Sequence, residues 1–232
     1  MTPEQEAEYR AALDAALEAG SAILRDGGSA MDAVTAAITL MEDDPKFNAG
    51  RGAVFTWDGT IEHDAALMDG RDRSAGAVTG IGTVRHPILL AQEVMRDGRH
   101  VFLSGAGAET FADGTDLERV PNEWFRTESR LRSLERLKAE KLSAIDVDYK
   151  YGTVGAVALD LEGNMAAGTS TSGRGGGTSA PRRVPPTKAI PGSDTRQISP
   201  SRSVWPRWPN PWAASRLLWM GPVTSASPCP RR

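Results

Sequence analysis

The sequence predicts a mixed α/β chain built around antiparallel hairpins, and three observations carry that prediction. Two segments with helical apolar spacing precede any strand. Asp58-Gly59, a strong hairpin turn signal, separates Ala53 to Trp57 from Thr60 to Ala66. Thr153 to Leu159 and Met165 to Thr171 are small-residue apolar runs joined at Glu162-Gly163-Asn164, whose Gly and Asn accept positive φ.

In chain order, Thr2 or Pro3 starts a helix over Glu4 to Arg25 that ends at Gly27-Gly28. Ser29 caps a second helix, with Asp32 at the capping-box position and Val34, Ala37, Ile38 and Met41 on one face. After the Asp58-Gly59 hairpin, Asp64 and Asp69 read as strand-end acids with no catalytic role. Ser74 to Gly82 is a Gly/Ala-rich strand suited to close packing on a partner sheet. Pro87 to Asp97 is a helix with Pro in its first turn, Val101 to Leu103 a short strand, and Ala106 to Ala112 a helix. Trp124 to Lys141 is a charge-dense helix with a solvated face, followed by a polar linker to Tyr151. Gly80-Ile-Gly82 and Gly105-Ala-Gly107 complete no phosphate-binding motif and read as structural glycines.

The composition is that of one sizeable globular domain: 232 residues, 40% hydrophobic and 25% charged. The N-terminal stretch is polar and acidic, and no apolar run approaches the ~20 residues of a membrane span, so the expectation is a cytoplasmic protein with no membrane partner. The single Cys229 excludes an internal disulfide framework, and three scattered histidines lack metal-ligand spacing. Charge is uneven along the chain. Residues 1–173 carry −12 and residues 174–232 carry +9; the latter also hold 11 of the 15 prolines and four of the six tryptophans, with no strand or helix period. The expected organisation is therefore a core over 1–173 and a disordered tail over 174–232. A nucleic-acid or membrane role for that tail is disfavoured, because Pro206, Pro209 and Pro211 interrupt any amphipathic helix.

Two stretches suggest chemistry. An antiparallel hairpin returns Thr169, Ser170, Thr171 and Ser172 beside Thr153, so hydroxyls converge at one end. Met41 to Thr56 is a loop whose Pro and two Gly deny its carbonyls regular partners, and such a loop either ring-binds a cation or simply connects helix to strand.

Gly-Thr-Val-Gly-Ala-Val-Ala-Leu-Asp from Gly152, followed by Thr-Ser-Thr-Ser-Gly ending at Gly173, resembles the start of the mature β-subunit in the isoaspartyl peptidase/L-asparaginase family of Thr-dependent N-terminal nucleophile hydrolases. The resemblance spans Ser29 to Gly173, about three fifths of the chain. It implies an α+β fold, the four-layer αββα sandwich, here incomplete because a first strand with His-Gly-Gly-Ala-Gly does not precede the helices. It implies self-cleavage between Gly152 and Thr153, Thr153 as nucleophile, Thr171 as its hydroxyl partner and Asn48 facing the same neighbourhood. It also implies a structural sodium on the carbonyls of Met41, Glu42, Asp44, Phe47, Ala49 and Arg51, with no cofactor for catalysis. A divalent ion becomes the better reading if the side chains of Glu42, Asp43 and Asp44 converge.

The implied activity is hydrolysis of L-asparagine and β-aspartyl (isoaspartyl) dipeptides, small substrates bound in part by Gly173 and Arg183, in an (αβ)2 assembly once the chain is cut. Pro186 stands where the resembled pattern has the substrate-binding Asp, and no Thr-Gly oxyanion pair follows, which predicts impaired maturation. With the tail unlike the family, the faces near Val154, Val157 and Leu159 are expected to lie open. Two alternatives stay open: an inactive, truncated or frameshifted remnant, and a glycosylasparaginase-like amidase, disfavoured because those enzymes usually carry Asp before the nucleophile.

Overall fold

A computed structural model describes residues 2–140, 153–172 and 216–218. Both N-terminal helices start where capping chemistry places them. In α1 (Pro3–Arg25), the Thr2 hydroxyl accepts from Gln5 N at 3.2 Å while the Gln5 side chain accepts from Thr2 N at 2.9 Å. In α2 (Ala30–Asp43), the Ser29 hydroxyl accepts from Asp32 N at 3.1 Å, and it donates to the Asp32 carboxylate at 2.7 Å. The apolar face of α2, including Val34, Ala37, Ile38 and Met41, is buried.

The remaining elements are β1 (His63–Asp69), β2 (Ala75–Ile81), α3 (Pro87–Asp97), β3 (Phe102–Ser104), α4 (Gly105–Ala112), α5 (Glu128–Ala139), β4 (Val154–Leu159), β5 (Met165–Ser172) and β6 (Arg216–Leu218). They form one six-stranded sheet in the order β3-β2-β1-β5-β4-β6, antiparallel except for the β2–β3 pair. Helix α2 lies across β4 and β5, and α3 lies across β1 and β2. The close packing expected of the Gly/Ala-rich strand β2 is thus made to a helix rather than to a second sheet. Strand β6 falls in the stretch whose composition shows no strand period, and its backbone extends the sheet beyond β4.

Alternation decides which residues meet the helices. Ala65, Leu67, Val78, Val154, Ala156, Ala158 and Ala166 point into the core, while Met68, Leu159 and Met165, on the opposite face, are 45%, 39% and 55% exposed. Val154 therefore corrects the expectation that it would lie open: it is buried under α2, whereas half-buried Val157 and exposed Leu159 point to the opposite face. Gly163 takes φ +85° in the β4–β5 turn, as its sequence context requires. The Asp160 carboxylate accepts from Glu162 N and Asn164 N in that turn and from Ala30 N at 3.3 Å, tying the hairpin to the start of α2.

Two boundaries differ from the sequence reading. The Asp58-Gly59 turn forms, with Thr56 N donating to Thr60 O at 2.7 Å, but its arms keep one bridge, Phe55 to Ile61. The Asn122 side chain accepts from Ile61 N and donates to Ile61 O, taking up the backbone groups a longer ladder would use. The expected helix from Trp124 is a 3₁₀ turn over Asn122–Phe125 followed by α5, because the Thr127 hydroxyl caps a new start by accepting from Arg130 N.

Candidate functional site

The β4–β5 register pairs Val154 with Ser170, so the preceding residue, Thr153, comes opposite Thr171. Period-two alternation puts Thr153, Thr169 and Thr171 on the face opposite the helices and Ser170 and Ser172 on the helix face. The sequence grouped all five hydroxyls; the sheet separates them. Thr153 is exposed and Thr171 half-buried.

On the far side of β5, Asp64 of β1 is the direct partner of Thr171. Its Oδ1 accepts from the Thr79 hydroxyl and, at 3.1 Å, from Gly80 N. Asp64 thus holds β2 against β1 at the Thr153 end of the sheet. Sequence reading gave it no task beyond a strand end, although its place in the alternation beside buried Ala65 already put it on the opposite face from the core.

Beneath the hydroxyl pair, on the helix face, lies a polar group. Asn48 Oδ1 accepts from Val54 N at 3.0 Å and from the Ser172 hydroxyl, whose oxygen accepts from the same Val54 N at 2.9 Å. The loop after α2 is thereby fastened to the strand end that carries Thr171. Asn48, expected to face the nucleophile, instead bonds Ser172 on the helix face, across the sheet from Thr153 and Thr171.

Two buried titratable groups complete this underside. Glu42 is fully buried, and Oε1 accepts from Ile88 N at 3.0 Å. Burial pushes its carboxyl up to about 8, against the opposing hydrogen bonds. His63 is fully buried, with no partner for either ring nitrogen among the described residues and the Phe125 ring 4.4 Å away between centroids. Burial pushes its imidazole down to about 3.

The turn after α2 has the backbone chemistry of a cation cradle. Met41 O faces position 45 in the helical pattern, where Pro has no N–H, and Lys46 N, the helical partner of Glu42 O, donates instead to Asp44 Oδ1 at 2.9 Å. Gly50 and Gly52 bring the chain so close that an added Cβ would stand 2.1 Å from Glu42 O and 1.9 Å from Phe47 O. The acidic side chains nearby diverge: Glu42 to Ile88, Asp43 to Arg85 and His86, Asp44 to Lys46. Among the described residues no group of three or more His, Cys, Asp or Glu is placed to hold a metal. The donors on offer are therefore neutral carbonyls.

Gly152, the expected cleavage-site glycine, and the expected substrate-binding Gly173 and Arg183 lie outside the described residues.

The family model described as asparaginase matches residues 1–193. The chain belongs to the asparaginase family. It is 48% identical to an isoaspartyl peptidase of Escherichia coli strain K12 over 182 residues, covering 75% of this chain and 56% of that protein. It is 49% identical over 155 residues to an isoaspartyl peptidase/L-asparaginase of Rattus norvegicus, covering 66% and 46%. A human isoaspartyl peptidase/L-asparaginase is 48% identical over 155 residues, covering 66% and 50%. The chain spans about half the length of the curated relatives it matches. Asparaginases of this family are N-terminal nucleophile hydrolases, and the helices and mixed sheet described above are an α+β architecture. Among the described residues no helix is long and apolar enough to cross a membrane.

Proposed function

We propose that this asparaginase-family chain hydrolyses L-asparagine and β-aspartyl dipeptides with Thr153 as nucleophile. The observation that carries the reading is the register: in a chain of this family, an exposed Thr153 comes directly opposite Thr171 at the end of a central antiparallel pair. A threonine hydroxyl is a weak nucleophile and needs an adjacent base. Cleavage at Gly152-Thr153 supplies one: the Thr153 nitrogen, acylated before the cut, becomes a free α-amine with a pKa near ~8.

The chemistry follows from that pair. In maturation the Thr153 hydroxyl attacks the Gly152 carbonyl, the acyl group moves from nitrogen to oxygen, and water hydrolyses the ester. In turnover the same hydroxyl attacks the side-chain carbonyl of the substrate and passes its proton to the α-amine. The amine then protonates the departing ammonia or amino group, leaving a β-aspartyl ester on Thr153 that water releases. Thr171 hydrogen-bonds the nucleophile, and Asn48 and Ser172 brace the strand end from below.

A sodium ion fits the loop after α2 better than a divalent ion, held by carbonyls of Met41, Glu42, Asp44, Phe47, Ala49 and Arg51. Met41 O and Glu42 O have lost their helical donors, and divalent ions usually recruit several carboxylates. Its contribution is structural, fixing the loop that carries Asn48. Arg183 and Gly173 remain the proposed substrate-binding residues, and a cytoplasmic enzyme assembled as (αβ)2 after cleavage is the matching biological form.

The test is mass spectrometry of the expressed chain, with ammonia and aspartate release measured on asparagine and an isoaspartyl dipeptide. Fragments ending at Gly152 and beginning at Thr153, a minor fraction given the impaired maturation the sequence predicts, are what this reading requires, with both fragments and product release abolished by Thr153→Ala. An uncut chain without product release would favour an inactive remnant of the family. Activity that survives Thr153→Ala would remove Thr153 from the reaction.

A further inference from the structure

We infer that Asp64 is a positioning residue for the nucleophile, acting through Thr171; this rests on the reading of Thr153 as nucleophile. The three residues stand in one row on three neighbouring strands, on the face opposite the helices. Asp64 is the register partner of Thr171 across β1–β5, and Thr171 comes opposite Thr153 across β5–β4. Side chains of directly opposed residues have Cβ atoms about 4.5–5.5 Å apart, within reach of an aspartate and a threonine.

Among the described residues the needed atoms have no competing partner. Asp64 Oδ1 is taken by the Thr79 hydroxyl and Gly80 N, whereas Oδ2 accepts no bond among the described residues. Among the described residues the Thr171 hydroxyl makes only a long 3.5 Å contact to the Ser172 carbonyl. The anchored Oδ1 fixes the carboxylate between β2 and β5, so its second oxygen has little freedom to turn away.

A carboxylate accepts and does not donate, and this sets the direction of the whole row. Thr171 donates its proton to Asp64 Oδ2, which leaves only lone pairs on the Thr153 side. Those lone pairs accept an N–H of the freed Thr153 amine. With one N–H held there, the amine's own lone pair is directed at the Thr153 hydroxyl, the arrangement proton uptake requires. Without Asp64 the Thr171 hydroxyl is free to point its proton at the amine and occupy that lone pair.

Asp64→Asn separates this from a purely structural role. The amide oxygen still accepts from Thr79 and Gly80, but the amide nitrogen donates toward Thr171 and reverses the row. The full chain is compared as wild type, Asp64→Asn, Thr171→Val, the double variant and Thr153→Ala. The readouts are the rate of Gly152-Thr153 cleavage by intact mass, kcat and KM for ammonia release from asparagine, and Tm. Asp64→Asn is expected to slow cleavage and lower kcat about 10- to 100-fold, with KM and Tm essentially unchanged. In the Thr171→Val background the same change is expected to add nothing, because the group it acts through is gone.

Wild-type rates in Asp64→Asn would overturn the inference, and so would an Asp64→Asn penalty undiminished by Thr171→Val. Failure of the underlying reading looks different: cleavage and ammonia release persist in Thr153→Ala, or the wild type shows neither.

Discussion

Replacing His63 with leucine is expected to remove a large part of this protein's acid sensitivity. His63 lies at the start of β1, fully buried, with both ring nitrogens unpartnered among the described residues. Burial depresses its folded value to about 3 from the ordinary 6.5. A depressed folded value means that the unfolded chain takes up the proton first as pH falls. The stabilising term is therefore complete above pH 6.5 and is lost as pH drops toward 3. Each unit in that window costs about 1.4 kcal/mol, so lowering the pH from 7.5 to 4.5 removes about 3 kcal/mol through this residue. Urea unfolding at the two pH values, on wild type and His63→Leu, measures it. Other groups titrate in both proteins and cancel in the difference. The wild type should lose about 3 kcal/mol more than the variant. Equal losses would show that the imidazole is solvated or partnered in the folded chain, and that the reasoning from burial is wrong.

Glu42 carries the opposite sign. Its folded value of about 8 lies above the ordinary 4.5, so its stabilising contribution is complete below pH 4.5 and is lost as pH rises toward 8. Glu42→Gln, which stays neutral, should flatten the fall in urea-measured stability between pH 5.5 and 7.5 by roughly 2 to 3 kcal/mol, and an unchanged slope would refute it. Gly52→Ala should destabilise the chain by about 3 kcal/mol or more, since the new methyl falls 1.9 Å from Phe47 O and 2.6 Å from Pro45 O. Both are backbone atoms that cannot turn aside, and a thermal unfolding midpoint near that of wild type would show that the loop yields freely.

What was legible in the sequence is what short-range chemistry writes down. The caps at Thr2 and Ser29 and the positive φ at Gly163 each depend on a few adjacent residues, so their patterns identify them. The pairing of Thr153 with Thr171 is equally local, because one tight turn sets the register of both strands. Family motifs added the loop after α2, whose carbonyl chemistry follows from where Pro45 and the two glycines fall.

Tertiary structure decided everything that depends on which face of a strand is covered. Period-two alternation says that Val154 and Val157 part company, but only the docking of α2 buries the first and leaves the second on the opposite side. The same docking sends Ser172 down to Asn48 and leaves Thr171 above with Asp64, a residue 107 positions away that no local pattern connects to it. The shifted values of Glu42 and His63 belong here too. A carboxyl and an imidazole carry ordinary affinities in sequence, and only their removal from water by α3 and by the Phe125 cluster drives the two in opposite directions.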